Sequence, residues 1–453
     1  MQYFSPESIL NQSIIYYQGK PVGTLAAKDT SRKEASNYNQ CFVRDFVSAA
    51  ILFLIINQID IVRNFLELTL KLQPQSHPSN SKQPARGLIP ASFKVIALDD
   101  GEEYIKADYG DYAIGGVVPV DSCLWWIILL HAYVRATDDY AFTHQPQFQK
   151  GIRMITELCM APRFDSYPGL FVLDGSCTID RRMGIEGFPI EIQVLFYSAL
   201  SGARELLTIA PENKLVLNQI DTRIVELGKF IHKQYWIDSD RLTEINRFRN
   251  DEYCSISLNE FNIYPASIVP YRLNEWLPPM GGYFAGNAGV SNLDIRFFSL
   301  GNLLSIVFEL TTKEQSQAIM NLIEERWDDL IGEIPMKMCF PALEGKEYQL
   351  LTGCDPKNVP WSYHNGGNWP VLLWVLVAAA IKTNRILVAE KAIQIAQLRL
   401  EKDEYPEYYD GKSKLLIGRE ARLFQTWTVS GFLLAKELIR NPSSLKLFGS
   451  TYF

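Results

Sequence analysis

Histidine is scarce in this chain: 453 residues contain five, His77, His131, His144, His232 and His364. His364 has no second His or Cys at metal-ligand spacing, and no G-x-S-x-G string offers a serine nucleophile. The seven cysteines, Cys41, Cys123, Cys159, Cys177, Cys254, Cys339 and Cys354, are odd in number and scattered, and never form C-x-x-C. That excludes a zinc ribbon or a disulfide framework and matches reduced, cytoplasmic thiols acting as small core residues. Basic charge is in deficit, 44 Lys+Arg against 51 Asp+Glu. A net charge of −7 argues against a nucleic-acid partner, which needs a basic patch. Long hydrophobic runs are missing too. The longest apolar stretches, Phe46–Ile56 and Trp369–Ile381, fall short of the roughly 18–20 residues that span a bilayer, so no membrane association is expected. The opening MQYFSPESIL has no basic stretch followed by an apolar one, so no secretory signal is expected either.

What is present is a large apolar supply, 47% of residues, with 12% aromatic. Helical periodicity dominates, with candidate helices at about 40–57, 59–73, 122–136, 146–160, 190–209, 214–236, 239–250, 293–311, 312–329, 367–383, 385–401 and 421–439. A further one is expected within Pro6–Tyr17. Some, such as CLWWIILLHAY, are apolar nearly all round and belong inside a large protein; others, such as KEQSQAIMNLIEERWDD, are amphipathic. Short joins alternate with long segments at about 74–121, 161–189, 251–292, 330–366 and 402–420. Tight turns on one side of helix pairs place every long connection on the other side, where it forms a rim. The expectation is an all-α chain, an (α/α)6 barrel of about twelve helices in a double ring, with residues 1–453 forming a single domain. An irregular all-α protein with decorated loops is the alternative.

The long segments are dense in carboxylates, aromatics, Gly and Asn. VLDGSCTIDRRMGIEGFPIEIQ holds Asp174, Asp180, Arg181, Arg182, Glu186 and Glu191, and YPEYYDG holds Glu407 and Asp410. Paired carboxylates beside aromatics suit glycoside cleavage, in which one acid protonates the leaving oxygen and a second carboxylate activates water or attacks the anomeric carbon. Such a site needs no metal and no cofactor. Plainer readings compete for several residues. Asp45 next to Arg44 reads as an ion pair, Asp121 before CLWW reads as a helix N-cap, and Glu407 reads equally well as a surface-turn residue. His131 reads as a satisfied core histidine, whereas His364, in a Gly/Asn-rich loop, could touch substrate. Asp99-Asp100-Gly101-Glu102-Glu103 is a weak candidate for holding Mg²⁺ and reads more simply as a solvated turn.

The strings ADYGDYAIGG, PVDSCLWWIILL, DGSCTIDRRMGI, PIEIQ, RFFSLGN, DPKNVPWSYHNGGNWP, PEYYDG and IGREARLFQTWTVSGF together resemble the alkaline/neutral invertases of plants and cyanobacteria, glycoside hydrolase family 100. They occur in order from about residue 30 to 440. The resemblance implies an (α/α)6 barrel and an intracellular enzyme that hydrolyses sucrose to glucose and fructose with inversion. It also implies a homo-oligomer, a hexamer assembled from dimers being one form. By motif it implies Asp180 as general acid and Glu407 as general base. It places Arg44, Asp45, Asp121, Arg296, His364, Asn365, Arg422 and Trp427 around the sugars. Five residues at three places depart from the plant pattern. Glu186 and Phe188 replace histidines after DRRMG, Asn292-Leu293 replace a His-Met, and Gly116 stands where plant relatives often carry Arg. If these positions line the pocket, the aglycone preference shifts. A related inverting α-glycosidase and a weakly active sugar-binding homologue are therefore the alternatives.

Overall fold

A computed structural model of the chain describes residues 5–28, 38–77, 84–110, 119–161, 165–172, 178–179, 181–242, 273–289, 293–416 and 421–449. Twelve helices organise it: α1 (Pro6–Gln12), α2 (Val43–Ile55), α3 (Ile59–Lys71), α4 (Val120–Thr137), α5 (Pro146–Cys159), α6 (Ile190–Leu206), α7 (Lys214–Tyr235), α8 (Ser299–Val307), α9 (Lys313–Glu325), α10 (Leu373–Lys382), α11 (Ile386–Leu400) and α12 (Thr426–Arg440). The even-numbered helices are the apolar ones. In α4 every residue from Asp121 to Val134 is buried, and α10 is buried from Leu373 to Ala380. A helix without a polar face needs neighbours on all sides. These six supply them to one another: α2 packs on α4, α4 on α6, α6 on α8, α8 on α10, α10 on α12, and α12 back on α2. The amphipathic odd-numbered helices lie outside. α3 covers α2 and α4, α7 covers α6, α11 covers α10 and α12, and α1 covers α12. The interiors merge into one hydrophobic cluster that includes Phe46, Trp126, Leu195, Leu303, Leu376 and Phe432.

Within the cycle some helices approach closely. A Cβ on Gly301 of α8 would lie 2.6 Å from Ile190 Cγ2 and 2.9 Å from the Glu191 backbone nitrogen, so this crossing with α6 requires glycine.

The connections alternate as the sequence spacing implies. The segments 56–58, 207–213, 308–312 and 383–385 are short, whereas 13–42, 72–119, 160–189, 236–298, 326–372 and 401–425 each lead into the N-terminus of an even-numbered helix. The six N-termini, with the positive ends of their dipoles, therefore face the same side as the long segments.

The all-α expectation needs correction, because the long segments contain strands. Cys41–Phe42, Ser92–Ala97 and Glu103–Asp108 form one antiparallel sheet. Tyr283–Ala288 pairs with Leu293–Phe298, Phe188–Pro189 and Trp236–Ile237, and Cys339–Phe340 joins the far edge. The helix expected over 293–311 thus begins only at Ser299. LDIRFF alternates apolar and polar residues from Leu293 to Phe297, the period of a strand, and its branched and aromatic residues favour one; it is buried at every position because Asp294 and Arg296 pair with each other. The N-terminal helix stops at Gln12, and Ile14–Tyr17 turns back through Gln18 and Gly19, both at positive φ, to pair with Lys20–Thr24. The 312–329 candidate breaks at Arg326, and the 421–439 candidate starts at Thr426. Of the 239–250 candidate, residues 239–242 are helical and the remainder lies outside the described residues. His131 is satisfied as expected, its Nε2 lying 2.9 Å from Glu205 Oε2. Residues Asp99–Glu102 form the exposed turn between strands Ser92–Ala97 and Glu103–Asp108, where Gly101 N donates to Leu98 O. No described helix is long and apolar enough to cross a membrane.

Candidate active site

Three neighbouring helices of the cycle carry a charged residue at the second position of the first turn: Arg44 on α2, Asp121 on α4 and Glu191 on α6. Arg44 Nη1 donates to Asp121 Oδ2 at 2.6 Å. The described ion pair of Arg44 is therefore with α4 and not with its sequence neighbour Asp45, because consecutive residues of a helix point in different directions. Asp121 is likewise not the N-cap of α4; that position is Pro119. Its buried carboxylate lies against its own and the Ser122 backbone N–H groups as well as Arg44. Glu191, also buried, accepts from the Thr178 backbone N–H at 3.1 Å and from the Thr178 hydroxyl at 2.6 Å.

Glu407 comes from the long segment before α12. It is 5% exposed, which rules out an ordinary surface turn. Its backbone N–H donates to Arg422 O at 2.8 Å. The flanking Tyr408 and Tyr409 are fully buried, and Tyr409 exchanges backbone hydrogen bonds with Asn368. The Tyr38 hydroxyl donates to Glu407 Oε2 at 3.0 Å and lies 3.3 Å from Oε1. Arg422 stands over the Tyr38 ring at 5.1 Å, with its Nε and Nη1 buried and unpartnered among the described residues.

An aromatic wall borders this group. Tyr363 stacks on His364 at 3.8 Å and meets Tyr408 edge-on at 5.3 Å. Trp369 packs on Tyr408, and Trp427 meets Trp369 at right angles at 5.4 Å. Lys357 Nζ sits 4.0 Å from the centre of the Tyr363 ring, and Arg182 stands 5.2 Å from it. Such faces can bear on sugar C–H groups.

Desolvation dominates the electrostatics. Burial pushes Asp45 up to about 7; Arg44 opposes the shift, and nearby Glu407 and Asp121 add to it. Burial pushes Glu191 up to about 7 as well, against its Thr178 hydrogen bonds and with Asp121 adding. Glu407 is raised by burial, and Lys357, Tyr38 and Arg422 hold it down. Asp121 is raised by burial and held down by Arg44. Four crowded carboxylates with limited cationic compensation favour a state in which some are protonated and others ionised at neutral pH.

Glu191 gives a pH test. Its proton is held more tightly in the folded protein, so its stabilising contribution is complete below the usual value near 4.5 and is lost as pH rises through about 7. Glu191→Gln retains an acceptor for Thr178 and removes the titration. Its melting temperature relative to the unmodified protein is expected to climb between pH 4.5 and 7, a difference on the order of 1–3 kcal/mol. A pH-independent difference would contradict this.

The sequence candidates separate in the structure. Arg44, Asp45, Asp121, Glu407 and Arg422 interact with one another, and Trp427 reaches them through the aromatic wall. Arg296 is instead held in a buried ion pair with Asp294, Nε and Nη2 both engaging the carboxylate. Asn365 uses its amide on the backbone of Leu343 and Asn358, so it holds its loop. His364 contributes a ring face to the wall. Asp180 lies outside the described residues, as do Asp174, Gly116 and Asn292. Glu186 is exposed, and Phe188 packs between Phe171 and Phe230, so the departure at Phe188 belongs to an aromatic core cluster. Sequence reasoning did not single out Tyr38, Lys357 or Tyr363, and it named Glu191 only among the carboxylates of its string. Tyr38 belongs to no string that suggests chemistry, and a carboxylate in the first turn of a helix is ordinarily a dipole partner.

The family described as "Alkaline and neutral invertase" matches residues 6–442. "Probable alkaline/neutral invertase A, chloroplastic" of Arabidopsis thaliana is 50% identical over 440 residues, 96% of this chain and 69% of that protein. "Neutral/alkaline invertase 3, chloroplastic" of Oryza sativa subsp. japonica is 48% identical over 448 residues, 98% of this chain and 74% of that one. Among solved structures, a bacterial glucoamylase complexed with acarbose superposes with a TM-score of 0.57 at 13% identity, covering 99% of this chain and 56% of that one.

Proposed function

The chain belongs to the alkaline and neutral invertase family, and from that premise we propose that it hydrolyses sucrose to glucose and fructose with inversion at the glucosyl carbon. The observation that carries this reading is Glu407. It is a buried carboxylate with a phenolic donor on both oxygens, three cationic or polar groups opposing its protonation, and an aromatic wall beside it. Asp180, protonated, gives its proton to the oxygen between the glucosyl and fructosyl units as the glucosyl C–O bond breaks. Glu407, ionised, takes a proton from the water whose oxygen bonds to the anomeric carbon from the opposite face. Inversion requires room for that water, a carboxyl separation of roughly 6.5–9.5 Å. Arg44, Asp45, Asp121, Arg422 and Trp427 are assigned to the sugar hydroxyls and faces. The cycle of six apolar helices inside amphipathic ones supports an (α/α)6 barrel, with residues 1–453 as one domain. A cytoplasmic setting is supported by the free thiols of Cys41, Cys123, Cys159, Cys339 and Cys354. Assembly into a homo-oligomer belongs to the same reading. The relatives above are named as chloroplastic, so fractionation of cells is the check on location.

The test follows sucrose by proton NMR. Sucrose is an α-glucoside, so β-glucose is expected to accumulate first and then mutarotate, and Asp180→Asn and Glu407→Gln are both expected to slow release by about 10²-fold or more. Initial α-glucose would overturn inversion. Release from other α-glucosides but not from sucrose would favour a glycosidase with a different aglycone.

A further inference from the structure

The environment of Glu407 assigns a role to a residue that no motif marks. We propose that Tyr38 is a positioning residue for Glu407, its hydroxyl bridging the two carboxylate oxygens and fixing their direction; this rests on the reading of Glu407 as general base.

Tyr38 comes from the segment between α1 and α2, and Glu407 from the segment before α12, 369 positions apart in sequence. The phenol lies 3.0 Å from Oε2 and 3.3 Å from Oε1, so one donor is shared across the fork. A carboxylate held at both oxygens cannot rotate about its terminal torsion, which is otherwise broad. One lone pair of each oxygen stays available for the proton of a water. Tyr38 is itself fixed by the Arg422 guanidinium over its ring, and the Glu407 backbone is tied to Arg422 O. Acid and phenol are thus registered by the same residue.

Direction of donation follows from the groups that face the pair. Burial and the Glu407 charge both raise the phenol's pKa, so Tyr38 keeps its proton and donates throughout the working pH range. The charged and titratable groups facing Glu407 are Tyr38, Lys357, Arg422, Asp45 and Tyr408. Lys357 and Arg422 attract through space from their own segments, whereas Tyr38 makes a direct hydrogen bond to the acid. A hydrogen bond to the ionised form favours that form. Tyr38 therefore extends the pH range over which Glu407 is a base towards lower pH, in addition to aiming it.

The experiment compares pH profiles of kcat and kcat/KM for sucrose hydrolysis in the full-length protein, Tyr38→Phe and Glu407→Gln, with melting temperatures recorded for each. Tyr38→Phe keeps the ring and its Arg422 contact. It is expected to melt within a few degrees of the parent, to keep KM within about twofold, to lose roughly tenfold in kcat and to move the acid limb up by about one pH unit. A purely structural tyrosine would leave the acid limb where it is. An unmoved acid limb in Tyr38→Phe, with Glu407→Gln inactive, overturns the positioning role and leaves Glu407 as the base. Retained activity in Glu407→Gln overturns the reading of the base and this inference with it.

Discussion

Glu407→Gln is expected to lower kcat/KM for sucrose by about 10²–10⁴-fold, the usual contribution of a positioned general base. The amide fits the same volume and still accepts from Tyr38, so the aromatic wall and the backbone bond to Arg422 O remain intact. Stability is expected to move the other way. Burial penalises the ionised carboxylate, and Lys357, Tyr38 and Arg422 offset that penalty only in part. A neutral amide removes the desolvation cost, so the melting temperature at neutral pH is expected to stay level or rise, as when an active site trades stability for function. Calorimetry beside the kinetic assay checks both signs at once. A variant that loses activity because it unfolds would contradict the argument.

The second large effect concerns Arg296. Its guanidinium and the Asp294 carboxylate are both almost wholly buried, with Nε at 2.9 Å from Oδ1 and Nη2 at 2.5 Å from Oδ2. Arg296→Met leaves Asp294 as an uncompensated buried charge, and the expected loss is about 3–5 kcal/mol. Asp294 must then take up a proton, so the loss is expected to shrink as pH falls. The double variant Arg296→Met with Asp294→Leu is expected to recover much of the loss, because the desolvation of both ions is removed together. Denaturant unfolding of the single and double variants measures this directly. Additive losses would mean that the pair is not coupled.

The two residues also show how legible the site was. Motif resemblance marks Arg296 as a residue around the sugars and Glu407 as the general base; the first is held in an ion pair two positions away on its own strand, and the second stands among the buried carboxylates. Nothing in RFFSLGN or PEYYDG shows which neighbours each side chain meets. Asn365 teaches the same lesson. The resemblance places it around the sugars, and in the structure its amide closes on the backbone of Leu343 and Asn358. Conversely, Glu191 lies in a string already dense in carboxylates. It becomes distinctive only when α6 sets it beside Asp121 and Thr178.

By itself the sequence determined the alternation of apolar and amphipathic helices and the placement of long segments before the apolar ones. Both follow from residue periodicity and spacing, which are local quantities. It also determined the family, because long strings in order over most of the chain leave little room for coincidence. Only the tertiary structure decided which strings within the long segments are strands. Leu293–Phe298 alternates over only five residues and runs directly into the helix that begins at Ser299, so its pairing with Tyr283–Ala288 is what sets it apart from that helix. It also decided that Arg44 pairs with Asp121 and that Tyr38 meets Glu407. Hydrogen bonds and desolvation depend on distance through space, and residues 369 positions apart become neighbours only once the helices have packed.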